Sequence, residues 1–372
     1  MEALKHPVNF VIPEKYLWPE MREGRVEDVT DAVLAQRCVG AINNWVVIPY
    51  IYFHRAGLAP RHSPKPAEGA INIASTHDLG IRERTFRAFI VCCRADAHAP
   101  ELANFVFEQN RLREGAPAVA WTPHWPNPGL IPRDPARGDC FETLAYKGDI
   151  GNLWVSFRDE SFRRALGDLG VELRLDLRTP ANGAPLRMHD YRDVDAVIAV
   201  RNLTEGDVRV KPASKLVNAW SCGTPALLGA EPGFQELRED ELDYIEIDSP
   251  RTALDAIRNL KCDPGLATRM RERGFARARG ALCGVAQEIR RGDAVAMGLE
   301  RHPRKALKGR DGAHPGHRAK AVRRTLTSGR AAGSRVRFRG GFRLETRAEE
   351  VVLEAVASSR GVLEPGLDEV AP

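Results

Sequence analysis

The 372-residue chain carries 55 Lys/Arg against 50 Asp/Glu, is 43% hydrophobic and has a formal net charge of +5. That length suits two ordinary domains, each able to bury a core. The positive balance is local: residues 301–372 hold 16 basic against 8 acidic side chains, which leaves 39 against 42 in residues 1–300. The main body therefore gives no electrostatic case for a nucleic-acid partner. Seven cysteines, at 38, 92, 93, 140, 222, 262 and 283, are odd in number and form no C-x-x-C pair. They fit reduced thiols in a cytoplasmic protein better than a disulfide framework or a zinc site. The start, MEALKHPVNFVIP, lacks a basic segment followed by an apolar run, and Trp45 to Phe53 is too short to span a bilayer. A soluble protein without a membrane signal is expected.

In chain order, Val8 to Ile12 reads as a first strand, ended by Pro13, and Glu27 to Val39 has the apolar spacing of a helix. The run from Gly40 to Gly57 is ambiguous. Its β-branched and aromatic residues favour strand, whereas Asn43 as a cap and an early Pro49 favour helix. Gly69 to Ser75 and Arg87 to Cys93 read as strands ending in the polar loops Thr76-His77-Asp78 and Arg94-Ala95-Asp96. Loops at the carboxyl ends of strands are where open parallel sheets bind ligands. Cys92-Cys93, on such a strand, reads as core. Val119 to Trp121 is a further short strand. The proline-dense stretch from Thr122 to Pro135 suits neither helix nor central strand and reads as an ordered crossover between domains.

The second half opens with a strand over Leu144 to Gly148, an amphipathic helix over Ser161 to Leu169, and strands over Val171 to Leu175 and Val194 to Val200. Next comes Lys211 to Glu236, KPASKLVNAWSCGTPALLGAEPGFQE, the stretch richest in chemistry. Pro212 suits a first helical turn, Ser214 to Trp220 has helical spacing, Gly223 closes that helix, and Ala226 to Leu228 reads as a buried strand. Glu236 reads as the opening of a helix over Gln235 to Leu242. Tyr244 to Asp248 then reads as strand, and Pro250 to Leu260 and Pro264 to Arg279 as helices. Strands alternating with helices, twice over, imply two Rossmann-like, doubly wound parallel-sheet domains of class α/β. The expected limits are 1–135 and 136–300, with 301–372 as a basic tail of low order. No H-x-x-E-H, G-x-S-x-G, Walker or G-x-G-x-x-G pattern occurs, which argues against metalloprotease, serine hydrolase, NTPase and nicotinamide chemistry.

Two lysines at a helix start, facing a glycine turn and a glutamate loop, suit a phosphate-and-sugar site. The pattern K-P-x-S-K-L-x-N-A-W-x-x-G-x-P-A-L-L-G-x-E-P-x-F-x-E-L resembles the donor-binding segment of GT-B glycosyltransferases with a family 1/family 4-like C-terminal domain. The linker H-W-P-x-P-G-L-I-P-R-D is similar to that of a small group of GT-B-like proteins. The Asn-rich turn before residue 45 resembles the start of GT-B N-terminal domains, which selects helix there. The resemblance is specific over 206–248 and architectural before 119. It departs from the family at Asn218 and at Val210, where many of those enzymes have a pair of glutamates.

The resemblance implies transfer of a sugar, hexosyl in type, from a nucleotide-activated donor to an unidentified acceptor, with no metal and no cofactor beyond the nucleotide sugar itself. The implied donor-side residues are Gly148, Asp149, Arg201, Lys211, Lys215, Asn218 and Glu231. Lys215 is the foremost phosphate ligand, otherwise a surface lysine on a first helical turn. His124, Asp78 and Asp96, with His77 and Arg94, are the acceptor-side candidates for a general base, although a lone histidine is more often structural. Two other readings stay open: a GT-B-shaped binding or scaffold protein without catalysis, and a related epimerase or hydrolase of sugar nucleotides.

Overall fold

The computed structural model describes residues 7–79, 87–98, 100, 103–116, 118–122, 124–179, 186–201 and 205–279. The expected tail over 301–372, the end of the second domain and Cys283 lie outside the described residues. Two parallel sheets organise the chain. The first has strands β1 (Val8–Val11), β2 (Arg61–Ser63), β3 (Ile71–Ser75), β4 (Phe89–Cys93), β5 (Phe105–Glu108) and β6 (Val119–Trp121), in the order β2-β1-β3-β4-β5-β6. The second has β7 (Thr143–Gly148), β8 (Glu172–Leu177), β9 (Ala196–Ala199), β10 (Ala226–Leu228) and β11 (Ile245–Glu246), in the order β11-β10-β9-β7-β8. The helices are α1 (Pro19–Arg22), α2 (Asp31–Arg37), α3 (Ile48–Arg55), α4 (Glu160–Asp168), α5 (Glu205–Val208), α6 (Ser214–Ser221), α7 (Pro232–Gln235), α8 (Pro250–Cys262) and α9 over residues 264–279. This is the α/β class with two Rossmann-like domains that the alternation of elements predicts.

The central strands are near-continuous apolar runs because helices cover both faces of each sheet. β3, INIAS, and β7, after its first residue, are buried throughout. One polar pair interrupts the first core. Asn9 and Asn72 are register partners on β1 and β3, and Asn9 Nδ2 donates to Asn72 Oδ1 at 2.8 Å. Asn72 also donates to the carbonyls of Ala67, Ala70 and Phe89. Both amides are satisfied, so the pair fixes the strand register instead of weakening the core.

The run from residue 41 is helical, as expected, but it opens with a π-helical segment over Asn43–Val47 that leads into α3. Asn43 lies inside this helix and is not its cap. Its Nδ2 donates back to the carbonyls of Arg37 and Val39, which ties the new helix to the end of α2. Two strands have no counterpart in the sequence reading. β2 is a polar three-residue edge strand, and β5 is four residues long.

The proline-rich crossover is ordered by both domains. Gly129 adopts φ +64° against α2, where a Cβ would stand 2.6 Å from Asp31 O and 2.7 Å from Ala35 Cβ. Further on, Ile131 N donates to His189 O, Tyr191 N to Ile131 O, and Arg133 N to Cys222 O. From Ile131 onward the crossover is therefore hydrogen-bonded to the loop before β9 and to the end of α6.

Candidate functional site

In each sheet the strand order reverses beside the first strand, between β1 and β3 and between β7 and β9, and the loops at those carboxyl ends form the crevice. Gly148 and Asp149 end β7, Arg201 follows β9, Glu231 follows β10, and Lys215 lies on the first turn of α6. Ala213 caps α6 with no side-chain hydrogen bond, so the first N–H groups of the helix are left open for a ligand. The structure thus brings five of the seven expected donor-side residues to one edge of one sheet.

Tyr146 builds the floor of this edge. Lys215 Nζ stands 5.6 Å from the Tyr146 ring centroid, and the Tyr146 hydroxyl donates to Asp149 O at 2.5 Å. Gly148 has no side chain because none fits: a Cβ would meet the Tyr146 hydroxyl at 2.9 Å and Lys215 Cε at 3.4 Å. The Asp149 carboxylate is occupied locally, accepting from Gly151 N at 2.9 Å and pairing with Arg178 at 3.2 Å.

Above this floor, Arg201 Nη1 pairs with Glu231 Oε2, with side chains only 4% and 5% exposed. The pair is incomplete. Arg201 Nε and Glu231 Oε1 are buried and have no hydrogen-bond partner among the described residues, and the same holds for Arg158 Nε. Arg158 acts electrostatically on the Tyr146 hydroxyl, and so do Arg201, Asp149 and Glu231. Burial, then the charge of Arg201, pushes the Lys215 amine down to about 7, against the pull of Glu231. Burial likewise pushes the Glu231 carboxyl up, against Arg201 and Lys215. Arg201, Lys215 and Glu231 thus share a buried site, and Arg158 adds a positive charge felt at the Tyr146 hydroxyl.

Lys211 stands apart from these. It and Pro212 precede α6 and do not form its first turn, because the helix begins only at Ser214. Lys211 Nζ donates instead across the seam between domains, to Asp96 Oδ2 at 2.8 Å, and His77 Nε2 lies 3.9 Å from the other oxygen of that carboxylate. Burial alone would raise the Asp96 carboxyl, but the hydrogen bond and charge of Lys211 hold it below its ordinary value. The seam continues with Gln109 Nε2 donating to Val210 O at 2.8 Å, Asn110 Nδ2 to Lys211 O at 3.0 Å, and Arg111 N to Glu236 Oε2 at 3.0 Å. Glu236 is the residue after α7 and does not open a helix over 235–242, so its carboxylate is free to reach the first domain.

The other expected residues are engaged elsewhere. Asn218 is buried, and its Oδ1 accepts from Asn127 N of the crossover at 2.9 Å, a packing task. His124 is buried edge-on to Trp45, with Nδ1 2.8 Å from Trp125 O, and burial pushes its imidazole down to about 4. It is a neutral hinge of the crossover. Asp78 pairs with Lys15 at 3.5 Å at the first sheet's own switch point. Arg94 is tied to Glu108 and Ala97 O. Among the described residues no group of three or more His, Cys, Asp or Glu is placed to hold a metal ion, and no helix is long and apolar enough to cross a membrane.

Sequence reasoning missed Tyr146, Arg158 and the seam residues Gln109, Asn110 and Arg111. Tyr146 carried a readable signal, since it lies two residues before Gly148 on one strand and so shares its face. Arg158 follows a single 3-10 turn over Val155–Phe157, which has no pattern to announce it.

No known protein family matches the chain, and no curated protein matches it. Solved structures do. The chain is similar to Anabaena HepE in complex with UDP and glucose, at 11% identity over 76% of this chain and 99% of that one, with a TM-score of 0.44. It is similar to an alpha1,3-fucosyltransferase with GDP-fucose, at 9% identity over 73% and 82%, again with a TM-score of 0.44. It is also similar to TarM, at 10% identity over 56% of this chain with a TM-score of 0.41, and it spans about half of that chain, 51%.

Proposed function

We propose that the protein transfers a sugar from a nucleotide-activated donor to an acceptor hydroxyl, with the donor on the second domain. The observation that carries this reading is the meeting of Arg201, Lys215 and Glu231 at the carboxyl edge of the β7/β9 switch point, with Arg201 Nε buried and without a hydrogen-bond partner among the described residues. A diphosphate supplies the negative charge that this dry cluster lacks, and the open N–H groups at the start of α6 add to its hold.

In the reaction the glycosidic bond to the diphosphate breaks and charge develops on the leaving phosphate oxygen. Arg201 and Lys215 meet that charge more strongly than they meet the ground state, which is how fixed cations lower a barrier. These side chains supply the positive charge that a divalent cation supplies in other enzymes, so the proposal includes neither metal nor resident cofactor. Glu231 Oε1, buried and without a partner among the described residues, accepts a hydrogen bond from a ribose or sugar hydroxyl. The acceptor enters from the first domain, and the closed seam keeps out water that would otherwise take the sugar.

A second reading, a binding protein without catalysis, draws on a different observation. Val210 and Asn218, which stand where the resembled enzymes have glutamates, are both engaged in holding the chain together through Val210 O and Asn218 Oδ1. Calorimetry with uridine, guanosine and adenosine diphosphates and their sugars, run on wild type and Lys215→Ala, tests the first reading. Binding by wild type that weakens tenfold or more in Lys215→Ala supports the donor site, since a hydrogen bond to a charged group contributes about 1.5–3 kcal/mol. If no nucleotide binds wild type, the reading fails. Binding without release of sugar to any acceptor or to water favours the second reading.

A further inference from the structure

Lys211 faces two ways, and only its side chain is free to choose. Asn110 Nδ2 holds its carbonyl at 3.0 Å and Gln109 Nε2 holds the carbonyl before it at 2.8 Å. Gly233 packs so closely that a Cβ there would stand 2.6 Å from Lys211 O. On one side, Lys211 Nζ is bonded to Asp96, whose other oxygen lies 3.9 Å from His77. On the other side, Lys211 stands just before the start of α6, four residues ahead of Lys215 on that helix's first turn, and its charge is felt by Lys215 and Glu231 of the donor cluster. The Lys211, Asp96 and His77 side chains are 21%, 37% and 49% exposed. An ion pair so exposed costs little to break.

We propose that donor binding passes Lys211 from Asp96 to the diphosphate, and that Asp96, once released, becomes the positioning residue that holds His77 for the acceptor hydroxyl. The inference rests on the donor reading above and adds an order to it. A diphosphate in the dry cluster offers more charge, in a less screened place, than one partly exposed carboxylate, so the lysine changes partner when the donor arrives. The Asp96 charge is then no longer shared with Lys211 at Oδ2, and Oδ1, already 3.9 Å from His77 Nε2, is left to hold the imidazole. An imidazole with one nitrogen on a carboxylate keeps the other to accept a hydrogen bond from a hydroxyl. The backbone contacts of Gln109, Asn110 and Glu236 hold the domains together meanwhile, so the exchange needs no opening. The acceptor side is therefore completed only after the donor is bound.

The test uses the full chain with inorganic pyrophosphate and UDP as probes, titrated calorimetrically into wild type, Asp96→Asn, Lys211→Gln and the double variant. Asp96→Asn frees Lys211 and is expected to tighten pyrophosphate roughly two- to fivefold, the ratio a partly exposed pair implies. The same change in the Lys211→Gln background is expected to do nothing. In parallel, the His77 ring resonances, assigned by their loss in His77→Gln, move on saturation of wild type and stay in place in Lys211→Gln. Unchanged or weaker binding in Asp96→Asn overturns the exchange, and so do ring resonances that move equally without Lys211, which would report the phosphate's own field. Failure of wild type to bind either probe sinks the donor reading and this inference together, whereas binding without coupling removes the exchange alone.

Discussion

Lys215 and Arg201 act on each other in a buried site with only Glu231 and Asp149 to offset them. A lysine with its amine near 7 is about half neutral at pH 7 and largely neutral at pH 8. A diphosphate restores the counter-charge and with it the proton, so the bound state holds more protons than the free one. By linkage, affinity then falls as pH rises above about 7. Calorimetry at pH 8 in two buffers of different ionisation enthalpy should report proton uptake of a sizeable fraction of one per site, absent in Lys215→Met. Enthalpies that do not depend on buffer would refute this account of Lys215. A second prediction concerns its neighbours. Arg201→Met strands Glu231 in a site where its side chain is 5% exposed, and removing one partner of a buried pair costs about 3–5 kcal/mol. Burial already holds the Glu231 carboxyl above its ordinary value, and loss of Arg201 raises it further. A group with a raised folded value contributes its stability at low pH and loses it as pH climbs through that value. Urea titrations should therefore show a smaller deficit for Arg201→Met at pH 5 than at pH 8.

At the scale of elements, α6 and its exit position the site, and glycine contacts fix where that helix sits. Gly223, just past α6, has φ +60°, and a Cβ there would meet the Phe275 ring of α9 at 2.3 Å. Gly223→Ala is expected to cost about 2–3 kcal/mol by thermal or urea unfolding, from backbone strain and overpacking together. Gly167 in α4 gives the contrast, because a Cβ there would meet nothing within 4 Å. Gly167→Ala should instead stabilise by about 0.5–1 kcal/mol, the helix-propensity difference. The sequence marks Gly223 as a helix end and Gly167 as a helix interior, but the ring that crowds Gly223 lies 52 positions further along the chain. Legibility followed the same line throughout. Buried strands of five or six residues, such as β3, β4 and β7, and the amphipathic α4 and α8 announce themselves by period and composition. β2 is short and polar because it is an edge strand, and β5 is too short for a period to show. Gly148, Arg201, Lys215 and Glu231 rest on the resemblance to a donor-binding segment, and the fold places them at carboxyl-end loops and a helix start of one sheet. That Arg201 and Glu231 pair, 30 positions apart, and that Asn218 serves the crossover, are matters of tertiary contact that spacing does not encode.

On the proposed function, the whole molecule divides its labour along the seam. Tyr146, Gly148, Arg158, Arg201, Lys215 and Glu231 all belong to the second domain, so donor binding needs only that domain to be folded. Transfer needs the first domain in register, and register depends on Gln109, Asn110 and Arg111 meeting Val210, Lys211 and Glu236. Gly233 permits that meeting, since a Cβ would stand 2.6 Å from Lys211 O and 2.9 Å from Asn110 Nδ2. Gly233→Val cannot keep both contacts, because one obstacle is backbone and the other is an amide already held by a hydrogen bond. The substitution should widen the particle in small-angle scattering and abolish transfer to an acceptor, while pyrophosphate binding is kept, unchanged or up to about fivefold tighter as Lys211 is freed from Asp96. Loss of pyrophosphate binding in parallel with transfer would mean that the first domain helps to shape the donor cluster. A compact, fully active variant would mean that the seam is incidental to the chemistry. The predicted pattern, binding kept and transfer lost, follows only if one domain holds the charge and the other brings the acceptor to it.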